Sequence, residues 1–187
     1  MNLNELFKIQ AELDKRIVEE HNLQGVDLLD KKILALQVEL GELANEWRGF
    51  KFWSKDQEPR VEVTESNTNC GECFYNNVGK NPLLEEYVDC LHFILSIGLE
   101  LEYNKFEFEY LHEGNFRVFT ETDTIRQFTE TFQAIGGLIT NGDLESYEHL
   151  FLYLIGLGRH MGFTWEQIEQ AYLDKNKINH ERQERGY

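Results

Sequence analysis

The chain has 187 residues, of which 41% are hydrophobic and 13% aromatic, a composition typical of a globular protein with one buried core. Acidic residues outnumber basic ones by 34 to 18, and the net charge of −16 argues against nonspecific binding to nucleic acid or an anionic membrane. Because the sequence shows neither a signal-peptide pattern nor an apolar run long enough to span a bilayer, we expect one cytoplasmic domain over residues 1–187.

Helical periodicity dominates the N-terminal part of the chain. Apolar residues three and four positions apart predict a first helix over residues 3–21, which ends near Gly25. The same spacing predicts a second helix over residues 28–48, whose apolar stripe ends at Gly49. Two amphipathic helices therefore open the fold.

A polar segment follows these helices. Residues 54–80 are poor in apolar side chains and rich in Asn, Glu, Gly and Thr, so we expect a long connection or lid. The segment contains Cys70 and Cys73, and the third cysteine is Cys90. This odd count, without a second Cys or His pair, favours reduced thiols over a disulfide framework or a zinc site.

The central part of the chain combines a helix with a predicted hairpin. Asn81 and Pro82 suit the N-cap and the first position of a third helix, which we expect to extend to about Tyr103. Aromatic residues then alternate on both sides of a Glu-Gly-Asn turn over residues 105–120. This alternation predicts a small β-hairpin.

Three further helices are predicted in the C-terminal part. Two of them cover about residues 122–140 and 143–161, and the last begins at the Thr164/Gln167 capping box and continues to about Arg185. The predicted fold class is therefore all-α, a bundle of about six helices with a small β-hairpin excursion.

Acidic residues on the second helix lie beside its apolar stripe. Glu39 and Glu42 are about 60° apart around the helix axis, and Glu46 projects between them. Neighbouring carboxylates of this kind repel one another, more strongly where they are partly removed from solvent. We therefore expect a compensating cation.

The third helix carries a second acid pair, Glu86 and Asp89, again next to an apolar stripe. If the two helices pack antiparallel through their stripes, the four carboxylates converge on one oxygen-lined pocket. Mg²⁺ favours such ligands together with water and phosphate oxygens. The alternative is that each pair is an ordinary solvated feature of an acidic helix.

The C-terminal helix supplies a cationic strip in this acidic chain. Lys175, Asn179 and Arg182 follow at spacings of four and three residues, which places them on one helical face beside Tyr172. Such a strip can bind phosphate groups. Cations near a helix C-terminus also complement the helix dipole, so a purely structural role stays open.

Together these motifs resemble the dimeric all-α dUTPases within the all-α nucleoside triphosphate pyrophosphatases. The resemblance rests on both acid pairs, on the aromatic segment Phe50–Trp53 after the first pair, and on the tail from Tyr172 to Tyr187. It implies a homodimer that hydrolyses dUTP to dUMP and pyrophosphate with Mg²⁺ as cofactor. It also implies Glu39, Glu42, Glu86 and Asp89 as metal ligands, with Glu39 and Glu42 catalytic.

Within this family pattern, Glu42 matches the residue that orients or deprotonates the attacking water. Further positions match residues that contact the substrate: Gln10, Asp14, Lys51, Trp53, Lys175, Asn179 and Arg182. Gln10 and Asp14 are equally compatible with the polar face of an amphipathic helix, and Trp53 with core packing.

Three other functions are compatible with the same residues. A relative could hydrolyse dCTP or modified nucleotides, because spacing does not determine base selectivity. A di-iron carboxylate bundle would need two ExxH motifs, whereas Asp89 and His92 form the single near match. A noncatalytic module could instead bind a regulatory protein through its acidic face.

Overall fold

The computed structural model describes most of the chain, namely residues 3–61, 64–67, 74–77, 81–106 and 120–186. Six α-helices dominate these residues: α1 (Leu3–Glu20), α2 (Leu29–Trp47), α3 (Pro82–Glu100), α4 (Thr124–Asn141), α5 (Leu144–His160) and α6 (Trp165–Glu184). Each predicted helix is confirmed, with its ends shifted by at most three residues. The all-α class follows from these elements.

The predicted helix starts are set by side-chain caps. The side-chain oxygen of Asn81 accepts a hydrogen bond from the backbone N–H of Leu84 at 3.0 Å, and Pro82 occupies the first turn. At α6, the backbone N–H of Gln167 donates to the Thr164 hydroxyl while the Gln167 side chain accepts from the Thr164 backbone N–H. These contacts satisfy N–H groups that a helix leaves unpaired at its start.

Two short strands lie in the segment that we predicted as a connection. β1 (Thr64–Asn67) and β2 (Phe74–Asn77) pair antiparallel, with Thr64 opposite Asn77. The two cysteines of this segment lie outside the described residues. The third, Cys90, is a free thiol buried in α3, and burial raises its pKa well above the usual range. A reduced thiol is stable there because it is inaccessible.

The hairpin predicted over residues 105–120 is not supported. The chain after α3 forms a 3₁₀ turn at Tyr103–Lys105, in which the backbone N–H of Phe106 donates to the Tyr103 carbonyl at 3.1 Å. These local bonds keep the backbone wound up to Lys105, the first residue of the predicted hairpin, while Phe106 is extended. The other predicted strand residues, 107–119, lie outside the described residues.

Helix α3 is the centre of the bundle and packs against α1, α2, α5 and α6. Its orientation against α2 follows from contacts at both ends. The Lys32 ammonium near the start of α2 bonds the Glu100 carboxylate at the end of α3, at 2.7 Å. At the opposite end, backbone bonds join Arg60 to both Glu46 of α2 and Leu83 of α3. The two helices are therefore antiparallel, which is the condition under which the two acid pairs can meet.

A reciprocal pair of tyrosines holds α3 against α5. The Tyr87 hydroxyl of α3 donates to the Leu154 carbonyl of α5 at 3.1 Å, beside Gly158, and the Tyr147 hydroxyl of α5 donates to a carbonyl of α3 beside Gly98. A Cβ on Gly98 would lie 2.3 Å from the Tyr147 hydroxyl. Both close approaches require glycine, and they fix the position of α3, which carries two of the predicted site residues.

Helices α4 and α5 form a helical hairpin on one side of α3. An aromatic contact between Trp47 and Phe128, with ring centroids 5.5 Å apart, joins α2 to α4. None of the helices in the described part of the chain is both long enough and apolar enough to cross a membrane.

Candidate active site

Three carboxylates from α2 and α3 converge at one point of the interface between these helices. Glu39, Glu42 and Glu86 each place an oxygen within 4.8 Å of the other two. Glu39 and Glu86 are partly buried, whereas Glu42 is exposed to solvent. The antiparallel packing of the two apolar stripes thus unites acids that lie more than forty residues apart in the sequence.

The cluster is electrostatically strained. Burial, Asp89 and Glu42 raise the pKa of Glu39 to about 7, and a hydrogen bond with Glu86 opposes part of this rise. Burial and the charges of Asp89 and Glu39 raise the pKa of Glu86 to about 7 as well. Carboxylates in this arrangement hold protons near neutral pH unless a cation replaces them.

The donor set fits a hard divalent cation. Carboxylate oxygens are the ligands that Mg²⁺ prefers, and the oxygens of one octahedral Mg²⁺ site lie about 3 to 4 Å apart. The oxygens of Glu39, Glu42 and Glu86, which all lie within 4.8 Å of one another, are near that spacing. The exposure of Glu42 leaves one side open to water and to a ligand.

Asp89 lies next to the cluster but is engaged by a lysine. The Lys175 ammonium of α6 is 2.6 Å from an Asp89 oxygen and 2.8 Å from a Glu85 oxygen. Burial raises the pKa of Asp89, and the bond to Lys175 acts in the opposite direction. Of the four predicted metal ligands, the structure therefore brings three together directly and places the fourth in an ion pair beside them.

Glu46, which projects from the same flank of α2, does not belong to the cluster. Its carboxylate pairs with the Arg60 guanidinium at 3.1 Å. Because the helix advances by one turn between Glu42 and Glu46, the latter meets the segment after α2 instead of α3. The segment also contains Arg48, whose guanidinium bonds the Asp56 carbonyl at 2.7 Å.

Through Glu39, the acid cluster borders a cleft of about 460 Å³ between α1, α2, α3 and α6. Six predicted site residues line it: Gln10, Asp14, Glu39, Asp89, Asn179 and Arg182. Arg182 donates to the Asn179 side-chain oxygen at 3.4 Å, so the last two remain adjacent on α6. The cleft joins an acidic end to a polar end formed by α1 and α3.

Gln10 is the hub of a hydrogen-bond network at the polar end. Its side-chain oxygen accepts from the Tyr172 hydroxyl at 2.9 Å and lies 2.7 Å from Nδ1 of His92, while its nitrogen donates to Asp14 at 2.7 Å. Since the Gln10 oxygen can only accept, Nδ1 of His92 carries the proton. His92 also stacks on Tyr172, with ring centroids 4.2 Å apart. Gln10 is therefore a buried structural donor and acceptor, not part of a solvated polar face.

The network extends from Asp14 to α2 and α3. The second Asp14 oxygen accepts from the Ser96 hydroxyl at 2.5 Å and lies 3.4 Å from the Lys32 ammonium. Burial lowers the pKa of His92 to about 3, so this ring stays neutral. Neither Ser96 nor Lys32 was predicted as a site residue, because a single serine or lysine on an amphipathic helix gives no separate signal in the sequence. Their role in the network is visible only in the folded structure, where Asp14 of α1 lies beside them.

Two predicted substrate residues lie elsewhere. Trp53 is 66% exposed and makes edge contacts with Phe50 and Phe52 in the segment after α2, so it does not pack in the core. The Lys51 ammonium hydrogen-bonds the Asn45 side chain and lies 5.8 Å from the centre of the Phe50 ring. Neither Lys51 nor Trp53 is one of the described residues that line the cleft.

The fold and site define an all-α bundle with a carboxylate cluster at one end of a polar cleft. A comparison with protein families gives the more particular assignment: the sequence matches the dUTPase family over residues 2–68 and 74–187. The chain belongs to this all-α dUTPase family, as the resemblance implied, and this membership supports a nucleotide pyrophosphatase enzyme. A search of curated proteins gave no match.

Proposed function

We propose that the protein hydrolyses dUTP to dUMP and pyrophosphate in a Mg²⁺-dependent reaction. Membership of the dUTPase family supports the reaction class. The observation that carries the proposal is the convergence of Glu39, Glu42 and Glu86 at the end of a cleft that is large enough for a nucleotide.

Glu39, Glu42 and Glu86 would hold the cation, and Asp89 would complete the set. When bound, Mg²⁺ supplies positive charge that neutralises the triphosphate and activates water. Without such charge, a protein with a net charge of −16 repels an anionic nucleotide. A bound cation would therefore both offset the repulsion among the clustered carboxylates and allow the anionic nucleotide to bind.

Glu42 is the residue best placed to accept the proton of the attacking water, because it is the exposed member of the cluster. The water oxygen would form a bond to the α- or β-phosphorus, and the bond from that same phosphorus to the oxygen that bridges the two would break, so that pyrophosphate leaves after attack at the α-phosphorus and dUMP after attack at the β-phosphorus. The proton passes to the Glu42 carboxylate. Glu39 and Glu86 would keep their own carboxylate oxygens beside Glu42, as ligands of the cation.

The remaining cleft residues divide between the two parts of the nucleotide. Arg182 and Asn179 on α6 would bind phosphate oxygens, since guanidinium and amide groups donate to them. Gln10 and Asp14 would form the nucleoside end. Lys175 would contact phosphate only after its bonds to acidic residues rearrange, because both Asp89 and Glu85 hold it here.

Lys51 and Trp53 would reach the nucleotide only if the segment after α2 folds over the cleft. The exposure of Trp53 supports this role, since an exposed tryptophan in a loop offers a ring that can stack on a base. Substitution of Trp53 by Ala should then raise KM for dUTP about tenfold without changing the free energy of unfolding. An unchanged KM would contradict this role.

We also propose that the enzyme acts in the cytoplasm as a homodimer. Three apolar side chains on α4, Ile125, Phe132 and Ile139, are exposed at seven-residue spacing, which supports an unpartnered helix face. Light scattering on the purified protein tests the assembly. A monomer at micromolar concentration would contradict it, and Phe132→Asp should dissociate a dimer that uses this face.

The reaction is tested by measuring pyrophosphate release from dUTP, dCTP, dTTP and a modified pyrimidine nucleotide, with and without Mg²⁺. We expect turnover of dUTP only with Mg²⁺, and a loss of about a hundredfold or more in kcat for Glu42→Gln. Preference for another nucleotide would favour the related pyrophosphatases. No turnover of any nucleotide would favour the noncatalytic module.

A further inference from the structure

The Lys175 ammonium of α6 is enclosed by two carboxylates of α3, Asp89 and Glu85. It lies 2.6 Å from Asp89 and 2.8 Å from Glu85, and its side chain is only 9% exposed. The two acids differ in their surroundings, since the side chain of Asp89 is 16% exposed and that of Glu85 is 42% exposed. The lysine therefore links an inner and an outer carboxylate.

Asp89 is also coupled to the acid cluster. It lines the same cleft as Glu39, and its charge raises the pKa of both Glu39 and Glu86. Lys175 and Glu85, by contrast, line a separate groove between the start of α3 and α6. Asp89 is thus shared between a fixed internal ammonium and the position where a divalent cation would bind.

Sharing Asp89 has an energetic consequence. A buried ammonium is unfavourable unless a carboxylate remains bonded to it. If Asp89 were the sole partner of Lys175, Asp89 could bind a divalent cation only by leaving the Lys175 ammonium without a carboxylate partner. Glu85 supplies a second negative charge, so the ammonium stays paired while Asp89 turns toward the cluster.

We propose that Glu85 is a positioning residue for divalent-cation binding: it holds Lys175 and thereby makes the Asp89 carboxylate available to the metal. The inference rests on the proposed function for its metal site. Glu85 is not one of the three clustered carboxylates, and its effect on the metal passes through Lys175. A general effect of negative charge near the metal would not depend on Lys175, so the two explanations predict different results.

A double-mutant cycle tests this route. Mn²⁺ binding in the absence of nucleotide is measured from the electron paramagnetic resonance signal of the free ion, using the wild type, Glu85→Gln, Lys175→Met and the double variant. We expect Glu85→Gln to weaken Mn²⁺ binding about fivefold, since the lysine then competes more strongly for Asp89. In the Lys175→Met background, Glu85→Gln should have no effect.

Two controls separate the proposal from simpler explanations. Asp174→Asn removes a charge from the same groove and should change Mn²⁺ binding less than about twofold, because Asp174 bonds Gln170 instead of Lys175. Lys175→Arg keeps the positive charge, so the Glu85→Gln penalty should persist in that background. Circular dichroism melting verifies folding, and Lys175→Gln replaces Lys175→Met if the latter does not fold.

The outcomes are distinct. An equal penalty for Glu85→Gln with and without Lys175, or no penalty in either, overturns the positioning role while leaving the proposed hydrolysis intact. Wild-type protein that binds no Mn²⁺ overturns both the metal site and this inference, and it does so before any variant is compared. A penalty confined to backgrounds with a cationic residue at position 175 supports the proposal.

Discussion

The two ends of the cleft place polar groups of the same helix, α3, in contrasting environments. At the polar end, His92 and Ser96 meet Gln10 and Asp14 of α1, and donors face acceptors. At the acidic end, Glu86 meets two carboxylates of α2, so acceptors face acceptors. Both ends are partly buried, and the difference between them lies in the complementarity of their partners.

This contrast distinguishes polar groups that stabilise the fold without a ligand from acidic groups that become stable when a cation binds. The donors and acceptors around Gln10 match one another without a ligand, apart from Nε2 of His92, which has no hydrogen-bond partner among the described residues, and their bonds contribute to the packing of α1, α3 and α6. A cluster of like charges is unfavourable in the free protein and becomes favourable when a cation is added. Equivalent substitutions at the two ends should therefore change the free energy of unfolding in opposite directions. Five predictions test the difference between the two ends.

The largest expected effect concerns activity. Glu86→Gln removes one charge of the acid cluster and should lower kcat/KM for dUTP about a thousandfold. Glu46→Gln is the matched control, because Glu46 lies on the same flank of α2 but pairs with Arg60, and its activity should change less than about threefold. Steady-state kinetics on both variants measures the difference. Equal losses would show that the cluster has no special role.

The next effect concerns the stability of the polar end. Gln10→Leu leaves the Tyr172 hydroxyl and Nδ1 of His92 without their acceptor, so the free energy of unfolding should fall by about 3 kcal/mol. Tyr172→Phe removes only one donor and should lower it by about 1 kcal/mol. Urea denaturation measures both values. A wild-type stability for Gln10→Leu contradicts the structural role of the network.

Amide substitutions should have opposite signs at the two ends. In metal-free protein at about pH 8, Glu39→Gln should raise the free energy of unfolding by about 1 kcal/mol, after allowance for solvent screening, because it removes a repelled charge. Asp14→Asn should lower it, since Asp14 accepts bonds from Gln10 and Ser96. Denaturation of both variants in a chelating buffer checks the signs.

The pH dependence of the Glu39 effect follows from linkage. The pKa of Glu39 is raised from 4.5 to about 7, so its protonated form is favoured in the folded state. This contribution to stability is present below about pH 4.5 and is lost as the pH rises through about 7. The advantage of Glu39→Gln over wild type should therefore be small near about pH 5 and largest near about pH 8, and an advantage that is independent of pH would contradict this cause.

The smallest effect is stabilisation by metal. Mg²⁺ at about five times its Kd should add about 1 kcal/mol to the stability of the wild type and raise Tm by about 2 to 4 °C. Glu86→Gln should show a much smaller shift, whereas Glu46→Gln should respond like the wild type. Thermal melting with and without Mg²⁺ measures the shifts, and equal responses of all three proteins would indicate binding outside the cluster.

Much of the fold could be predicted because helices are encoded locally. The spacing of apolar residues and the caps at Asn81 and Thr164 predicted the helices of the bundle, and the structure confirms them. The hairpin prediction over 105–120 had a weaker basis, since short alternating segments carry little information without a partner strand. The ladder at 64–67 and 74–77 had no clear signal for the same reason.

The candidate site was predictable to a smaller extent. Helical spacing correctly indicated that Glu39, Glu42 and Glu86 lie at a helix interface, and the structure brings them together. It gave no indication that Lys175 pairs with Glu85, because the two residues are 90 positions apart and on different helices. Their contact depends on how α6 packs on α3.

The sequence by itself determined where the helices begin and end and which face of each is apolar, because backbone capping and side-chain periodicity act within a few residues. Only the tertiary structure decided which polar groups became partners. Electrostatic and hydrogen-bond energies depend on distance and burial, so α3 acquired complementary hydrogen-bond partners beside α1 and an uncompensated acid cluster beside α2 only when those helices packed against it.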